Sequence, residues 1–276
     1  MHSSFDAAAA EFDDRIKKKD IDPDSFFSAE PIFQQIIDQR LYVDRMNAVL
    51  RSVFDRATRT NALLTAGTFM TLHSSEYSTW VIMEHKRKSQ FLYMTPVHSF
   101  QSPISGSGYA IDRYSLIGET LTNQISSNTK VELAQREQVK TNSVFKKSAV
   151  GEIVDTIVED LEVRSLSLRV SSKPLSDFQI NFDRENLSVF GITPVNPMLS
   201  NLTTIFDLLA DVADAPSADY LEPFINHEQH FIRWHAMKSI YAIDKEAGLK
   251  LIDRARDDPH DHVRAAALET LSRVSA

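Results

Sequence analysis

The chain contains no cysteine. That absence removes disulfides, thiolate metal sites and cysteine nucleophiles together, and it fits a reducing compartment. Glycine is scarce, with seven in 276 residues, and the first is Gly67. Residues 1–66 therefore lack the strongest backbone punctuator and read as helical. No stretch approaches the about 18 consecutive apolar residues that a membrane-spanning helix needs, and the opening run from Met1 to Asp14 has no apolar segment long enough for a signal peptide. The expectation is a cytoplasmic protein with no membrane partner. Cations are the minority: 30 Lys and Arg face 38 Asp and Glu, for a net charge of −8. That balance argues against a nucleic-acid partner, although net charge does not describe local patches.

Signatures of common chemistry are missing as well. Gly106-Ser107-Gly108 is too short for a dinucleotide or phosphate loop and no Lys-Ser/Thr follows it. No Gly-x-Ser-x-Gly elbow occurs. His227-Glu228-Gln229-His230 brings its second histidine one residue too early for a zincin helix, which needs His-Glu-x-x-His. In an acidic chain the pair Lys146-Lys147 and the cluster Lys86, Arg87, Lys88 read as solvated turns, and Glu159 to Glu162 as an acidic patch.

What is present is a hydrophobic content of 42% with 16 Phe, enough to bury a core. Asp6 to Lys19 predicts a short charged helix. From about Glu30 to Arg59, Phe33, Ile36, Ile37, Leu41, Val49, Leu50, Val53 and Phe54 recur at spacings of mostly three and four. That period predicts one amphipathic helix whose stripe needs cover from the next domain or from a second copy of the chain. Near Gly67 the period changes. Tyr77 to Glu84 and Gln90 to Val97 are apolar on both faces, as inner strands are. Leu166, Leu168 and Val170 share one face of a strand, as do Phe178, Ile180 and Phe182. Roughly eight short strands predict a β-sandwich or jelly roll. Thr193 to Pro197 carries two prolines and reads as a linker, and a run of helices follows from Leu199.

That last part is self-similar. Phe231 to Ile240 aligns with His262 to Leu271 at a displacement of 31 residues, pairing Ile232-Arg233 with Val263-Arg264, Ala236 with Ala267 and Ile240 with Leu271. A fixed period in this range marks stacked helical hairpins. The string Asp258 to Leu271, with its acidic turn, Val263-Arg264 and Ala266-Ala267-Leu268, resembles a HEAT-like repeat of the phycobilisome-lyase type. The resemblance covers residues 199–276, most closely 229–276. It implies a scaffold that binds proteins, with Arg233 and Arg264 as structural bridges between neighbouring turns. Some members of that family are lyases acting on bilin chromophores, a role that two repeats do not establish.

The copies disagree at Trp234 (against Ala265) and Tyr241 (against Ser272). Trp234, Lys238 and Tyr241 lie on one helical stripe and form a candidate protein-binding patch; cover by a neighbouring element is the ordinary alternative. The strand region carries His73, Glu76, His85 and His98, an alternative metal set for a cupin-like site binding divalent iron, zinc or manganese. Their spacing lacks the cupin motifs.

The expected fold class is α+β: an N-terminal helical arm (1–66), a central antiparallel β-sandwich or jelly roll of cupin-like kind (67–193) and C-terminal HEAT-like α-helical hairpins (198–276). The expected function is that of a non-enzymatic adaptor or regulatory protein with a protein partner, homo-oligomerisation being open and no cofactor required. The alternative is a cupin-like metal-dependent enzyme or small-ligand binder whose helices serve oligomerisation.

Overall fold

A serine starts the first helix: Ser4 Oγ accepts the Ala7 amide at 3.2 Å, opening α1 (Phe5–Ile16). The structure is a computed structural model that describes residues 4–17, 22–54, 69–85, 89–117, 129–149, 151–158, 165–212 and 214–274. The chain divides into two compact units, Met1–Thr193 and Pro194–Ala276.

In the first unit α1 buries Phe5, Ala8, Ala9, Phe12, Asp13 and Ile16, a stripe at helical spacing. The short α2 (Pro23–Phe27) is capped by Asp22, which accepts the Ser25 amide at 2.7 Å. The apolar period from Glu30 predicts a single helix, yet the chain forms two, α3 (Glu30–Asp38) and α4 (Leu41–Phe54). Arg40 between them has a φ of 54°, and its amide reaches back to the Ile37 carbonyl at 3.1 Å. A left-handed residue at this point closes one helix and re-aims the next, a break that periodicity does not register. The side chains of Val53 and Phe54, and the expected continuation to Arg59, lie outside the described residues.

Eleven strands follow among the described residues: β1 (Phe69–Ser74), β2 (Ser78–His85), β3 (Phe91–Met94), β4 (Ser99–Pro103), β5 (Tyr109–Leu116), β6 (Val131–Val139), β7 (Phe145–Lys147), β8 (Glu152–Ile157), β9 (Ser165–Ser172), β10 (Phe178–Asp183) and β11 (Val189–Pro194). They form a five-stranded sheet in the order β1-β2-β9-β4-β7 and two three-stranded sheets, β11-β10-β3 and β6-β5-β8. The pairs β1–β2, β2–β9, β9–β4, β4–β7, β3–β10, β5–β6 and β5–β8 are antiparallel. The fold class is α+β.

One face of the five-stranded sheet meets the helices. Leu72, Trp80, Ile82, Phe100, Leu168 and Val170 join Phe12, Phe26, Phe33, Ile36 and Ile37 in a single core. Phe33 stacks on Trp80 at 5.7 Å and on Phe100 at 5.5 Å, while Phe12 meets Trp80 edge-on at 5.0 Å. Such pairs add about 0.5–1.5 kcal/mol each beyond their buried area. The Phe33–Ile37 stripe thus finds its cover within its own unit. Asp13, buried on α1, accepts from Ser78 Oγ at 2.5 Å, and Ser78 Oγ accepts in turn from the Trp80 indole at 3.0 Å.

The second unit holds α5 (Pro197–Val212), two 3-10 turns (Ala215–Tyr220 and Glu222–Asn226), α6 (His230–Ile243), α7 (Lys245–Arg254) and α8 (Asp261–Val274). Asp244 caps α7 by accepting the Glu246 and Ala247 amides at 3.0 Å. Gly248 permits a close helix approach, since a Cβ there would lie 2.1 Å from the Tyr241 Cα. Of the pairs aligned in sequence, Ile232 with Val263 and Ala236 with Ala267 are buried on both sides. Met237 is 7% exposed but its counterpart Leu268 is 53% exposed: no described helix lies over that face of α8. Arg233 is buried and forks onto Asp258, with Nε–Oδ2 at 2.9 Å and Nη2–Oδ1 at 2.6 Å. Burial opposes ionisation of Asp258, but its bonds from Arg233 and from the His260 amide hold the carboxyl below its ordinary pKa. Arg264 donates to the Asp258 carbonyl at 2.7 Å, so both arginines converge on one turn. No described helix is long and apolar enough to cross a membrane.

Candidate anion-binding cavity

The other face of the five-stranded sheet does not carry the apolar side chains of an ordinary inter-sheet core. Along the central strand β9, Leu168 and Val170 point to the helices, so Ser167 and Arg169 point away from them. Register extends this pattern across the sheet. Arg169 pairs with Val81 on one side and Gln101 on the other, and Gln101 pairs with Phe145. In the next row Ser99 lies between Ser171 and Lys147. Tyr93, Thr95, Val154, Thr156 and Gln179, from β3, β8 and β10 and the residue after β3, line the opposite wall of a cavity of about 360 Å³. Among its described lining residues none is Asp, Glu or His.

Arg169 is the anomaly. Its side chain is only partly buried, yet its Nε is enclosed without a hydrogen-bond partner among the described residues. Desolvation lowers its pKa from the ordinary guanidinium value. A charged-group nitrogen enclosed without a partner is costly, and this side chain lines a cavity. Lys147, 6% exposed, is the second cation. Burial, and then the charge of Arg169, push its pKa down to about 7, while Glu152 works the other way. Its Nζ donates to the carbonyls of Thr95 at 2.8 Å, Ser148 at 3.1 Å and Val97 at 3.3 Å. Three carbonyl acceptors use all three ammonium protons and favour the charged form. Lys146-Lys147 is therefore not one solvated turn. The strand period splits the pair, leaving Lys146 exposed and paired with Glu30 at 2.7 Å and turning Lys147 inward.

A neutral network sits beside the cations. Tyr109 Oη lies 2.7 Å from both Gln101 Nε2 and Ser167 Oγ. His85 Nε2 lies 2.9 Å from Ser167 Oγ and 3.1 Å from Gln101 Nε2. Burial, followed by the field of Arg169, lowers the His85 pKa to about 4, so the ring is neutral at pH 7. Burial raises Tyr109 to about 12, against its bonds from Ser167 and Gln101. The donor-rich wall can bind a carboxylate, phosphate or sulfonate group: Arg169 offers a planar fork and Lys147 a nearby positive charge. The lining is not a metal site. Divalent ions of the cupin type need imidazole or carboxylate ligands, and the described wall supplies neither.

The histidines read from the sequence do not converge. His85 faces Ser167 and Gln101. His73 lies 3.4 Å from Asp13 on the helix side, and His98 packs against Phe26 and Phe27 at 5.8 and 5.6 Å. Glu76 is exposed on the turn before β2. In the second unit Trp234 and Tyr241 pack against Met237, Ile252 and Val263, while Lys238 is exposed. The signal that could have found the cavity is the polar register of β9, Ser165, Ser167, Arg169 and Ser171, opposite its apolar one. Alternation separates the two faces but does not say which is enclosed.

No protein-family model and no curated protein matches the chain. Solved structures that match include the DMSP lyase DddQ from Ruegeria pomeroyi DSS-3, at 11% identity and a TM-score of 0.26, over 45% of this chain and 58% of that one. A sugar phosphate isomerase from a cupin superfamily, from Silicibacter pomeroyi DSS-3, matches at 10% identity and a TM-score of 0.25, over 46% of this chain and 76% of that one. The chain thus spans little more than half of the lyase's length. Scores this low carry no argument about this protein.

Proposed function

We propose that this protein binds a small organic anion in the cavity of its first unit, as a receptor or sensor and not as a metal-dependent enzyme. In this reading the β layers form a sandwich of the cupin-like, jelly-roll kind, and its interior is a recognition site. The observation that carries the reading is Arg169, a partly buried side chain on the central strand of the sheet whose Nε is enclosed without a partner among the described residues and which lines the cavity. A fixed cation in a partly desolvated pocket is poised for a charge-assisted, bidentate bond. Phe145 and Val154 supply apolar wall and Gln101, Thr95 and Gln179 supply polar contacts, the mixture that small-ligand pockets use for affinity and orientation. Inorganic phosphate, sulfate and a series of mono- and dicarboxylates test it by thermal shift. At least one class should raise the melting temperature of wild type and leave Arg169→Met unmoved. Equal shifts in both proteins, or none in wild type, would sink the reading.

A second reading, an adaptor built on HEAT-like hairpins, keeps one observation. Met198, Ile205, Leu208 and Val212 form an apolar stripe on α5 that is 50 to 80% exposed. A partner protein presenting an apolar helix face fits such a stripe. Leu208→Glu should then abolish a defined association that Lys238→Ala, outside the stripe, leaves intact; retention by Leu208→Glu removes this reading.

A further inference from the structure

The first turns of α6 and α8 are 31 residues apart in sequence and adjacent in space. His230 opens α6; His260 and His262 flank the opening of α8. The rings of His230 and His260 lie parallel, with centroids 3.5 Å apart and planes inclined by 2°. The His262 ring stands nearly perpendicular to both, 4.9 Å from His260 and 5.8 Å from His230. One nitrogen from each ring lies within 4.8 Å of the others, and no other group of three or more histidine or acidic side chains among the described residues comes together in this way.

We infer that these three imidazoles form a binding site for a divalent transition metal ion, of the zinc, nickel or copper class, which staples the start of α6 to the start of α8. Imidazole nitrogens without carboxylates select these ions over magnesium and calcium. Zinc–imidazole bonds of about 2.0–2.1 Å require ligand nitrogens about 3.4 Å apart in a tetrahedral site, so the rings must close by about 1.4 Å at the widest gap. The parallel pair cannot serve as it stands, because in-plane lone pairs of stacked rings never meet. Loading therefore opens the stack, and the exposed His262 has the freedom to swing in. His260 Nδ1 accepts the His262 amide at 3.3 Å; this long bond is given up when His260 ligates. A neutral imidazole offers one in-plane lone pair, so each ring can give one ligand nitrogen. The Arg233 charge is neutralised by its fork onto Asp258. Three protein ligands leave a fourth position for water.

Full-length protein stripped with EDTA should bind one Zn²⁺ per chain by calorimetry. With Co²⁺ it should develop the visible absorption of a low-coordinate nitrogen site. Loading should shift the His262 amide resonance and raise the melting temperature of the second unit. His230→Gln, His260→Gln and His262→Ala should each weaken zinc by more than the about 10- to 100-fold that loss of an outer-shell partner costs. His235→Gln, whose native ring bonds Asp207 at 2.7 Å, should bind as wild type does. Circular dichroism of each variant separates lost ligation from lost folding. Absence of zinc binding in wild type, or undiminished binding in the triple variant, overturns the site.

Discussion

Replacing Arg169 by methionine should make the unliganded protein more stable while ending its response to anions. Its Nε has no partner among the described residues, and desolvation lowers its pKa. Replacing buried ionic groups by apolar side chains of similar volume is often stabilising, by about 1–4 kcal/mol, and a side chain that is only partly buried belongs at the low end of that range. In a unit of this size each kcal/mol moves the melting temperature by about 2–4 °C. Unliganded Arg169→Met should therefore melt about 2–4 °C above wild type. Saturating anion reverses the order: a ligand at 100 times its Kd stabilises wild type by about 2.7 kcal/mol, and the variant gains nothing. Arg169 also depresses His85, so the imidazole should titrate at higher pH in the variant, which an NMR titration reads directly. Arg169→Lys retains the charge without the fork and should keep the unliganded cost but lose most of the affinity. If Arg169→Met is instead destabilised without ligand by 1 kcal/mol or more, about a fivefold shift in the folding equilibrium, the guanidinium is structurally paired and the reasoning fails.

Three further outcomes follow from the same structure. His85 is depressed to about 4 in the folded state and sits near 6.5 when unfolded; the unfolded chain therefore takes up the proton first on acidification. Its contribution is intact above pH 6.5 and is lost as pH falls through about 4, an upper figure of about 3 kcal/mol at about 1.4 kcal/mol per pH unit. His85→Gln should flatten that part of a stability-against-pH curve from urea melts. Asp258→Ala leaves Arg233 buried and unpaired, and should cost about 3–5 kcal/mol by urea denaturation; a loss under 1 kcal/mol would show that the fork contributes little. Gly248→Ala should destabilise the second unit although alanine gains about 1 kcal/mol of helix propensity, because the new Cβ meets the Tyr241 backbone at 2.1 Å. An unchanged melting temperature would contradict that packing.

Much of this architecture is legible in local pattern. The 3,4 spacing of Phe33, Ile36 and Ile37 marks a buried helix face, and Leu168 and Val170 mark a buried strand face; all five are buried. Arg40 was not legible, because a left-handed residue leaves no trace in hydrophobic spacing and arginine is no usual choice for it. Lys147 was hidden by its neighbour: two adjacent lysines suggest a solvated turn, and only a strand pairing sends one out and the other in. Arg169 looked like the polar half of an amphipathic strand, since a solvent-facing and a cavity-facing residue have the same period.

The sequence by itself determined what short-range chemistry can encode. It excludes thiol chemistry, places helices before and after the strands, assigns the two faces of each strand and repeats an Ile/Val-Arg-x-x-Ala pattern 31 residues apart. Only the tertiary structure decided which faces are covered. That choice put Gln101, Lys147 and Arg169 around one cavity and three histidines from two helix starts side by side. The reason is one of range. Periodicity reports the geometry of about ten neighbouring residues, whereas enclosure, desolvation and the lack of a partner belong to groups that meet only when distant segments pack.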